Sequence, residues 1–241
     1  MHRILLVAAL FCALPALANE VVIRQAIEAK LGGAKVEGIL ATPMPGIYEV
    51  RFRGSDGMQI VYTNADATHI LVGRLLDAKT DRDLTEERLR KFSAINMETL
   101  PYDLAVKVQR GNGKRSLVIF SDPYCPACKQ FEKVLATIDD ITIHYFMYPV
   151  IRPELAEHSR AVWCAPDRSK AWLDLALRGK PITSGTKCDA PLDKVVDLGS
   201  KLGVRSTPTL FLATGERLRG GVSAAQLKVL LDEASAQNKK K

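Results

Sequence analysis

The chain has 241 residues, of which 47% are hydrophobic and 25% are charged, and its net charge at pH 7 is +7. This composition is ordinary for a soluble globular protein, and the length allows one large domain or two smaller ones. Basic and acidic residues alternate along most of the chain, and only Lys239–Lys241 form a basic run. Because the sequence has neither a basic stripe nor a known nucleic-acid-binding motif, we do not expect nucleic-acid binding.

Residues 1–18 have the pattern of a secretory signal peptide. A short basic start precedes the uncharged apolar run 4–14, and small residues ending at Ala18 provide a cleavage site. The run is too short to span a bilayer comfortably, and no later segment is apolar for long enough. We therefore expect an exported, soluble mature chain that starts at Asn19 and has lost Cys12.

The next segment is expected to form a small α+β unit over residues 19–78. Apolar residues at helical spacing predict a helix over 21–31. Alternating apolar and polar residues then predict strands that are buried on one face only. These strands are expected at 48–53, 58–63 and 69–75. A unit of about 60 residues is near the lower limit for independent stability, and its strand edges favour pairing with another copy.

A charged segment from Asp83 to Leu100 has apolar residues at helical spacing and is predicted to be a linker helix. Asp83 is a candidate N-cap, with Glu86 completing a capping box, and Pro101 ends the helix. The predicted domains are therefore residues 19–78, a linker at 79–101 and a second domain at 102–241.

From Leu104 onward the elements are predicted in the order β–β–α–β–α–α–α–β–β–α. Ser116–Phe120 is an apolar run typical of a buried central strand. The elements that follow it are expected at 126–136, 141–147, 153–164, 167–177, 192–202, 209–212, 216–220 and 223–236.

Cys125 and Cys128 lie where this buried strand gives way to a helix. At the helix start, unpaired backbone N–H groups and the helix dipole stabilise a thiolate, and Pro126 suits the first helical position. A thiolate is the nucleophile of disulfide exchange. We therefore predict that Cys125 attacks and that Cys128, within the same first turn, resolves.

Removal of the signal peptide leaves four cysteines, an even number that is consistent with disulfides in an oxidising compartment. Pairing Cys125 with Cys128 leaves Cys164 with Cys188, which we expect to form a structural disulfide. One alternative is a second redox pair. Another is a zinc site built from all four cysteines, although the separation of Cys164 and Cys188 is not that of a second zinc knuckle. We expect neither a metal nor a cofactor.

The segment Arg205–Thr209 contains Thr207-Pro208 and leads into a predicted strand. A proline at a strand start can be an ordinary trans residue. After a CxxC helix and a βαβ pattern, however, this segment resembles the thioredoxin family, in which the Thr–Pro bond is cis and lies beside the active sulfurs. The resemblance implies that Thr207 and Pro208 bind substrate, with the Thr207 backbone pairing with an extended segment.

Along the whole mature chain the sequence resembles the DsbC/DsbG family of periplasmic disulfide isomerases. The N-terminal unit, the charged linker, Trp163-Cys164-Ala165, Cys188 and Thr207-Pro208 all fall where that family has them. The resemblance implies a cystatin-like N-terminal dimerisation domain, a linker helix and a C-terminal thioredoxin-like domain with a helical insertion. It also implies a V-shaped homodimer with chaperone activity.

The partners implied by the resemblance are unfolded or misoxidised secreted proteins and the membrane electron-transfer protein of the Dsb system.

Two features depart from the family or from thioredoxin. The dipeptide between the cysteines is Pro126-Ala127 rather than Gly-Tyr or Pro-Tyr, so the balance of isomerase and reductase is open. Ile119 replaces the buried acid of thioredoxin, so no proton-transfer group for Cys128 is identified.

Three other functions stay open at this point. The chain could be an oxidase that donates its disulfide, a reductase that protects single cysteines, or a holdase chaperone without redox activity.

Overall fold

The computed structural model of the chain describes residues 14–54, 57–182, 188–219 and 221–238. It divides into two compact units, Met1–Leu89 and Arg90–Lys241. The basic start of the predicted signal peptide, nearly all of its apolar run and Cys12 lie outside the described residues. Within these ranges, no helix combines the length and the apolar character needed to cross a membrane.

The first unit packs one helix against an antiparallel sheet. Its elements are α1 (Leu14–Lys30), β1 (Val36–Ala41), β2 (Ile47–Gly54), β3 (Gly57–Asn64), β4 (Ile70–Leu71), β5 (Leu76–Asp77), β6 (Arg82–Asp83) and α2 (Leu84–Phe92), whose last three residues belong to the second unit. Strands β1 to β4 are neighbours in chain order. Ile23 and Ile27 of α1 are fully buried against Val50 and Phe52 of β2, which points alternate residues to the helix.

The linker helix predicted from Asp83 to Leu100 is wrong in its second half. Asp83 does cap α2, because its carboxylate accepts a hydrogen bond from the Glu86 backbone N–H at 2.9 Å. The helix ends at Phe92, however, and the Ile95 N–H donates to the Gly215 carbonyl at 2.9 Å. A tertiary hydrogen bond thus replaces the continuation of the helix, and a 3₁₀ helix follows at Met97–Thr99.

The second unit is a mixed sheet enclosed by helices. Its elements are a 3₁₀ helix (Tyr102–Leu104), β7 (Val106–Arg110), β8 (Arg115–Ser121), α3 (Pro126–Leu135), β9 (Ile141–Met147), a 3₁₀ helix (Pro153–Leu155), α4 (Ala156–Trp163), α5 (Arg168–Ala176), α6 (Leu192–Lys201), β10 (Thr209–Leu212), β11 (Arg217–Arg219) and α7 (Ala224–Asn238). The sheet order is β11-β10-β8-β9-β7, with β8 and β9 parallel and the other pairs antiparallel. The predicted order of strands and helices is confirmed.

Strand β8 is the centre of this unit. Leu117 and Ile119 point into a core that α3, α5 and α7 cover, whereas Val118 and Phe120 point into a second core on the opposite face. All four side chains are buried. The strand therefore holds the chain rigidly up to Ser121, immediately before the two cysteines.

The turn at Gly215 tests the contact with Ile95. Gly215 has a φ of +83°, and an added Cβ would lie 1.9 Å from the Ile95 carbonyl oxygen. Gly179 also has a positive φ, of +66°, but open space around it. We expect Gly215→Ala to lower the free energy of unfolding by roughly 2 kcal/mol more than Gly179→Ala, since overpacking adds to the left-handed strain common to both.

Urea unfolding followed by tryptophan fluorescence measures this difference, because Trp163 and Trp172 both belong to the second unit. Equal losses in the two variants would contradict the close packing of Ile95 on this turn.

Candidate active site

Cys125 occupies the N-cap of α3, and Pro126 is the first helical residue. The Cys125 backbone N–H donates to the Asp122 carbonyl at 3.1 Å, which closes the turn between β8 and the helix. Cys125 and Cys128 are both free thiols and both buried, with exposed fractions of 5% and 1%. The sequence thus brings the two predicted catalytic sulfurs together at a helix N-terminus.

The surroundings of Cys125 favour its thiolate. Burial alone would raise the pKa of this thiol, but hydrogen bonds from Thr207, Cys128 and Ala127 outweigh burial and hold the pKa below its usual value. Two of these groups are backbone N–H groups at the start of α3, which have no partner within the helix. Cys125 is therefore the more acidic sulfur of the pair.

Cys128 has the opposite character. Burial is the largest influence and raises the pKa of the Cys128 thiol to about 12, although hydrogen bonds from the Asp122 backbone and the Ser121 side chain oppose the rise. A negative charge on Cys125 raises it further. Cys128 therefore stays protonated while Cys125 is ionised.

The Thr207–Pro208 peptide bond is cis and precedes β10. In its protonated form, the Cys125 Sγ donates a hydrogen bond to the Thr207 carbonyl oxygen at 3.3 Å, so residues 82 positions apart meet at the site. Thr207 is buried, with an exposed fraction of 8%. The two residues predicted to bind substrate thus lie directly beside the sulfur predicted to attack.

An aromatic residue beside the nucleophile links it to the helical insertion. The Tyr124 hydroxyl hydrogen-bonds Nδ1 of His158 on α4, and the Lys129 ammonium lies 5.5 Å from the Tyr124 ring centroid. His158 could not be placed here from the sequence, because it has no ligand spacing to another residue of the site.

Cys164 and Cys188 form a disulfide with an S–S distance of 1.99 Å. Cys164 is the C-cap of α4, and Cys188 lies a few residues before α6, so the bond closes the helical insertion at a distance from Cys125 in sequence. Across the described part of the chain, no group of three or more His, Cys, Asp or Glu side chains is arranged to hold a metal ion.

A buried glutamate lies on the active-site helix four residues after Cys128. Glu132 is 3% exposed, and its carboxyl accepts a hydrogen bond from the Tyr145 hydroxyl on β9 at 2.9 Å. Burial raises the pKa of Glu132 to about 7, and only partial compensation comes from Tyr145 and the charge of Arg110. The helical spacing from Cys128 could have indicated its burial, but its partner on another strand could not be found from the sequence.

The ionisation of Glu132 makes stability depend on pH. The native state binds this proton more tightly than the unfolded chain, so its advantage is full below about pH 4.5 and is lost as the pH rises to about 7. Between pH 5 and pH 8, we expect wild type to lose roughly 2 to 3 kcal/mol of unfolding free energy relative to Glu132→Gln.

Urea titrations at the two pH values measure this change, with Glu98→Gln at an exposed site as the matched control. An equal pH dependence in wild type and Glu132→Gln would contradict a raised pKa for Glu132.

Comparison with known proteins agrees with this architecture in both units. Residues 14–86 match the disulfide bond isomerase protein N-terminal domain, and residues 102–235 match a thioredoxin-like domain. The probable thiol:disulfide interchange protein DsbC of Bordetella pertussis is 38% identical over 210 residues, covering 87% of this chain and 73% of its own. The thiol:disulfide interchange protein DsbC of Escherichia coli K12 is 26% identical over 223 residues, covering 90% and 89%.

A disulfide interchange protein of Neisseria gonorrhoeae, of known crystal structure, is 37% identical with a TM-score of 0.52. The match covers 58% of this chain and 99% of that one. The two domains match in the expected order, one in each unit of the chain. The chain belongs to the DsbC family of thiol:disulfide interchange enzymes.

Proposed function

We propose that this chain is a periplasmic protein disulfide isomerase and reductase, which rearranges incorrect disulfides in secreted proteins through Cys125 and Cys128. The observation that carries the proposal is the unequal acidity of the two thiols. The pKa of Cys125 is lowered at the start of α3, whereas burial raises the pKa of Cys128 to about 12. Cys125 is the attacking sulfur because disulfide exchange requires a thiolate.

The reaction starts with the Cys125 thiolate and a disulfide of the client. A sulfur–sulfur bond forms between Cys125 and one client sulfur while the client disulfide breaks, and the other client sulfur leaves as a thiolate. Isomerisation follows when a client thiolate attacks the mixed disulfide and restores reduced Cys125, with no net transfer of electrons. Thr207 and Pro208, beside Cys125, hold the extended client segment during this exchange.

Reduction follows instead when Cys128 loses its proton and attacks the Cys125 sulfur of the mixed disulfide, and the departing client sulfur takes up a proton. Cys128 then bonds to Cys125, and the client leaves with two thiols and with the two electrons that the enzyme has lost. A reductant must return those electrons, a role that we assign to the membrane electron-transfer protein of the Dsb system. The Pro126-Ala127 dipeptide sets the balance between the two branches.

The rest of the proposal concerns the full protein. The signal peptide is cleaved after Ala18, and residues 19–78 pair two copies into a homodimer that binds unfolded clients as a chaperone. This assembly is supported by the match of residues 14–86 to the N-terminal domain of disulfide bond isomerases. Residues 79–101 connect the dimerisation domain to the catalytic domain at 102–241, in which the Cys164–Cys188 disulfide is structural.

Refolding of a scrambled protein with several disulfides tests the proposal. Wild type in a glutathione buffer should restore the native client, and Cys125→Ser should fall to the uncatalysed rate because the nucleophile is gone. Cys128→Ser should keep part of the isomerisation but lose reduction, and it should accumulate the mixed disulfide because no resolving thiol remains.

The double variant Cys164→Ser/Cys188→Ser is the matched control, since it removes two cysteines outside the site. It should be less stable, yet its folded fraction should keep its isomerase activity. Full refolding by Cys125→Ser would contradict the mechanism. Protection of the client against aggregation by Cys125→Ser, with no isomerisation by wild type, would favour the holdase. Equilibration with glutathione measures the redox potential of the Cys125–Cys128 pair. A markedly more oxidising pair would favour the oxidase.

A further inference from the structure

Asp122 is the buried acidic residue closest in sequence to the nucleophile, and the mechanism above gives its side chain no role. It is 1% exposed. A buried carboxylate is costly unless hydrogen bonds replace its lost water. Here two backbone groups do so, because Oδ1 accepts from the Tyr124 N–H at 2.8 Å and Oδ2 accepts from the Ile151 N–H at 2.8 Å.

These two donors belong to different parts of the chain. Tyr124 directly precedes Cys125, whereas Ile151 lies beyond the end of β9 and is 29 residues away from Asp122 in sequence. Hydrogen bonds from N–H groups to a carboxylate are stronger than those between neutral groups. The Asp122 side chain therefore ties the nucleophile loop to the segment after β9.

The segment after β9 ends in exposed apolar side chains. The Tyr148 N–H donates to the Ser121 carbonyl at 2.8 Å, so the chain continues alongside the end of β8. Val150 and Ile151 then project into solvent, with exposed fractions of 38% and 50%. We call these two residues the 150–151 segment.

The 150–151 segment lies on the same side of the site as the nucleophile loop. The Asp122 carboxylate bonds to both, and the charge of Arg152, the next residue, acts on the Tyr124 hydroxyl. A polypeptide client has residues flanking its disulfide that can extend over Val150 and Ile151, whereas a small disulfide has none.

We propose that Asp122 is a positioning residue that holds the 150–151 segment beside Cys125, where that segment contacts the apolar residues flanking a client disulfide. This role rests on the proposed function and adds a determinant of substrate class. Asp122 thereby favours disulfides within polypeptides over small disulfides, and it takes no part in the exchange itself.

Asp122→Asn tests the role, since an asparagine oxygen can accept only one of the two N–H groups and its NH₂ group opposes the other. We expect kcat/KM for the scrambled protein to fall about tenfold, mainly through KM, as the loss of a charge-assisted hydrogen bond would give. The rate with oxidised glutathione should fall less than the rate with the scrambled protein, because glutathione has no flanking chain to contact Val150 and Ile151. Exchange of the Ile151 amide proton should become about tenfold faster.

Asp167→Asn is the matched control, because Asp167 caps α5 by accepting from the Lys170 N–H at 2.9 Å and lies outside the site. It should leave both rates unchanged. Should Asp122→Asn fail to fold, the surface variant Val150→Ser/Ile151→Ser decides, with exposed Val229→Ser on α7 as its control. The double variant should lose activity with the scrambled protein but much less with oxidised glutathione, and Val229→Ser should lose neither.

Equal losses with protein and glutathione, or no loss with either, would overturn the role of Asp122. Absence of isomerisation by wild type itself would instead refute the proposed function. The two failures are therefore distinguishable in one set of measurements.

Discussion

The start of α3 imposes the constraint on which this site depends. The first N–H groups of a helix have no partners within the helix, and at this position water is largely excluded. The Ala127 and Cys128 N–H groups lower the pKa of Cys125, because its sulfur accepts hydrogen bonds most strongly as a thiolate. A Cys125 thiolate therefore provides a hydrogen-bond acceptor for backbone N–H groups that have no partner within the helix. The reactivity of Cys125 thus depends on the backbone at the start of α3.

Cys128, three residues along the same helix, lies inside the core and not at its edge. The same burial that makes its ionisation costly also protects it from other oxidants. One turn of helix thus gives the two sulfurs distinct chemistry. Strand β8 makes the arrangement reproducible, because its side chains are fixed in a core on each face.

The features that could be predicted from the sequence depend on local patterns. The uninterrupted apolar run at Ser116–Phe120 predicts the central strand, and Pro126 marks the start of the helix that carries the cysteines. Strand β1 is not predicted by alternation, because a register shift between Val36 and Gly38 interrupts the pattern. The helix end at Phe92 is not predicted either, because it goes with a hydrogen bond between Ile95 and the distant Gly215.

Local patterns and distant contacts also differ in how well they predict the site. The two cysteines lie in one local motif, and Thr207 is predicted only by resemblance to a family. The acids Asp122 and Glu132 also stand close to that motif in sequence, but their partners Ile151 and Tyr145 come from other elements. Such pairings are set by the closed tertiary structure, so one sequence does not contain a local signal for them.

The contact between Ile95 and Gly215 has a consequence for how this enzyme can be recombined. Ile95, Met97 and Leu100 belong to the same core as Val118 and Phe120 of the central strand. A chimera that joins a foreign N-terminal half at Tyr102 would replace part of that core with unmatched side chains. A junction at Arg90 keeps this core intact. An exchange of domains between relatives therefore has to transfer residues 90–101 together with the domain that carries the thiols.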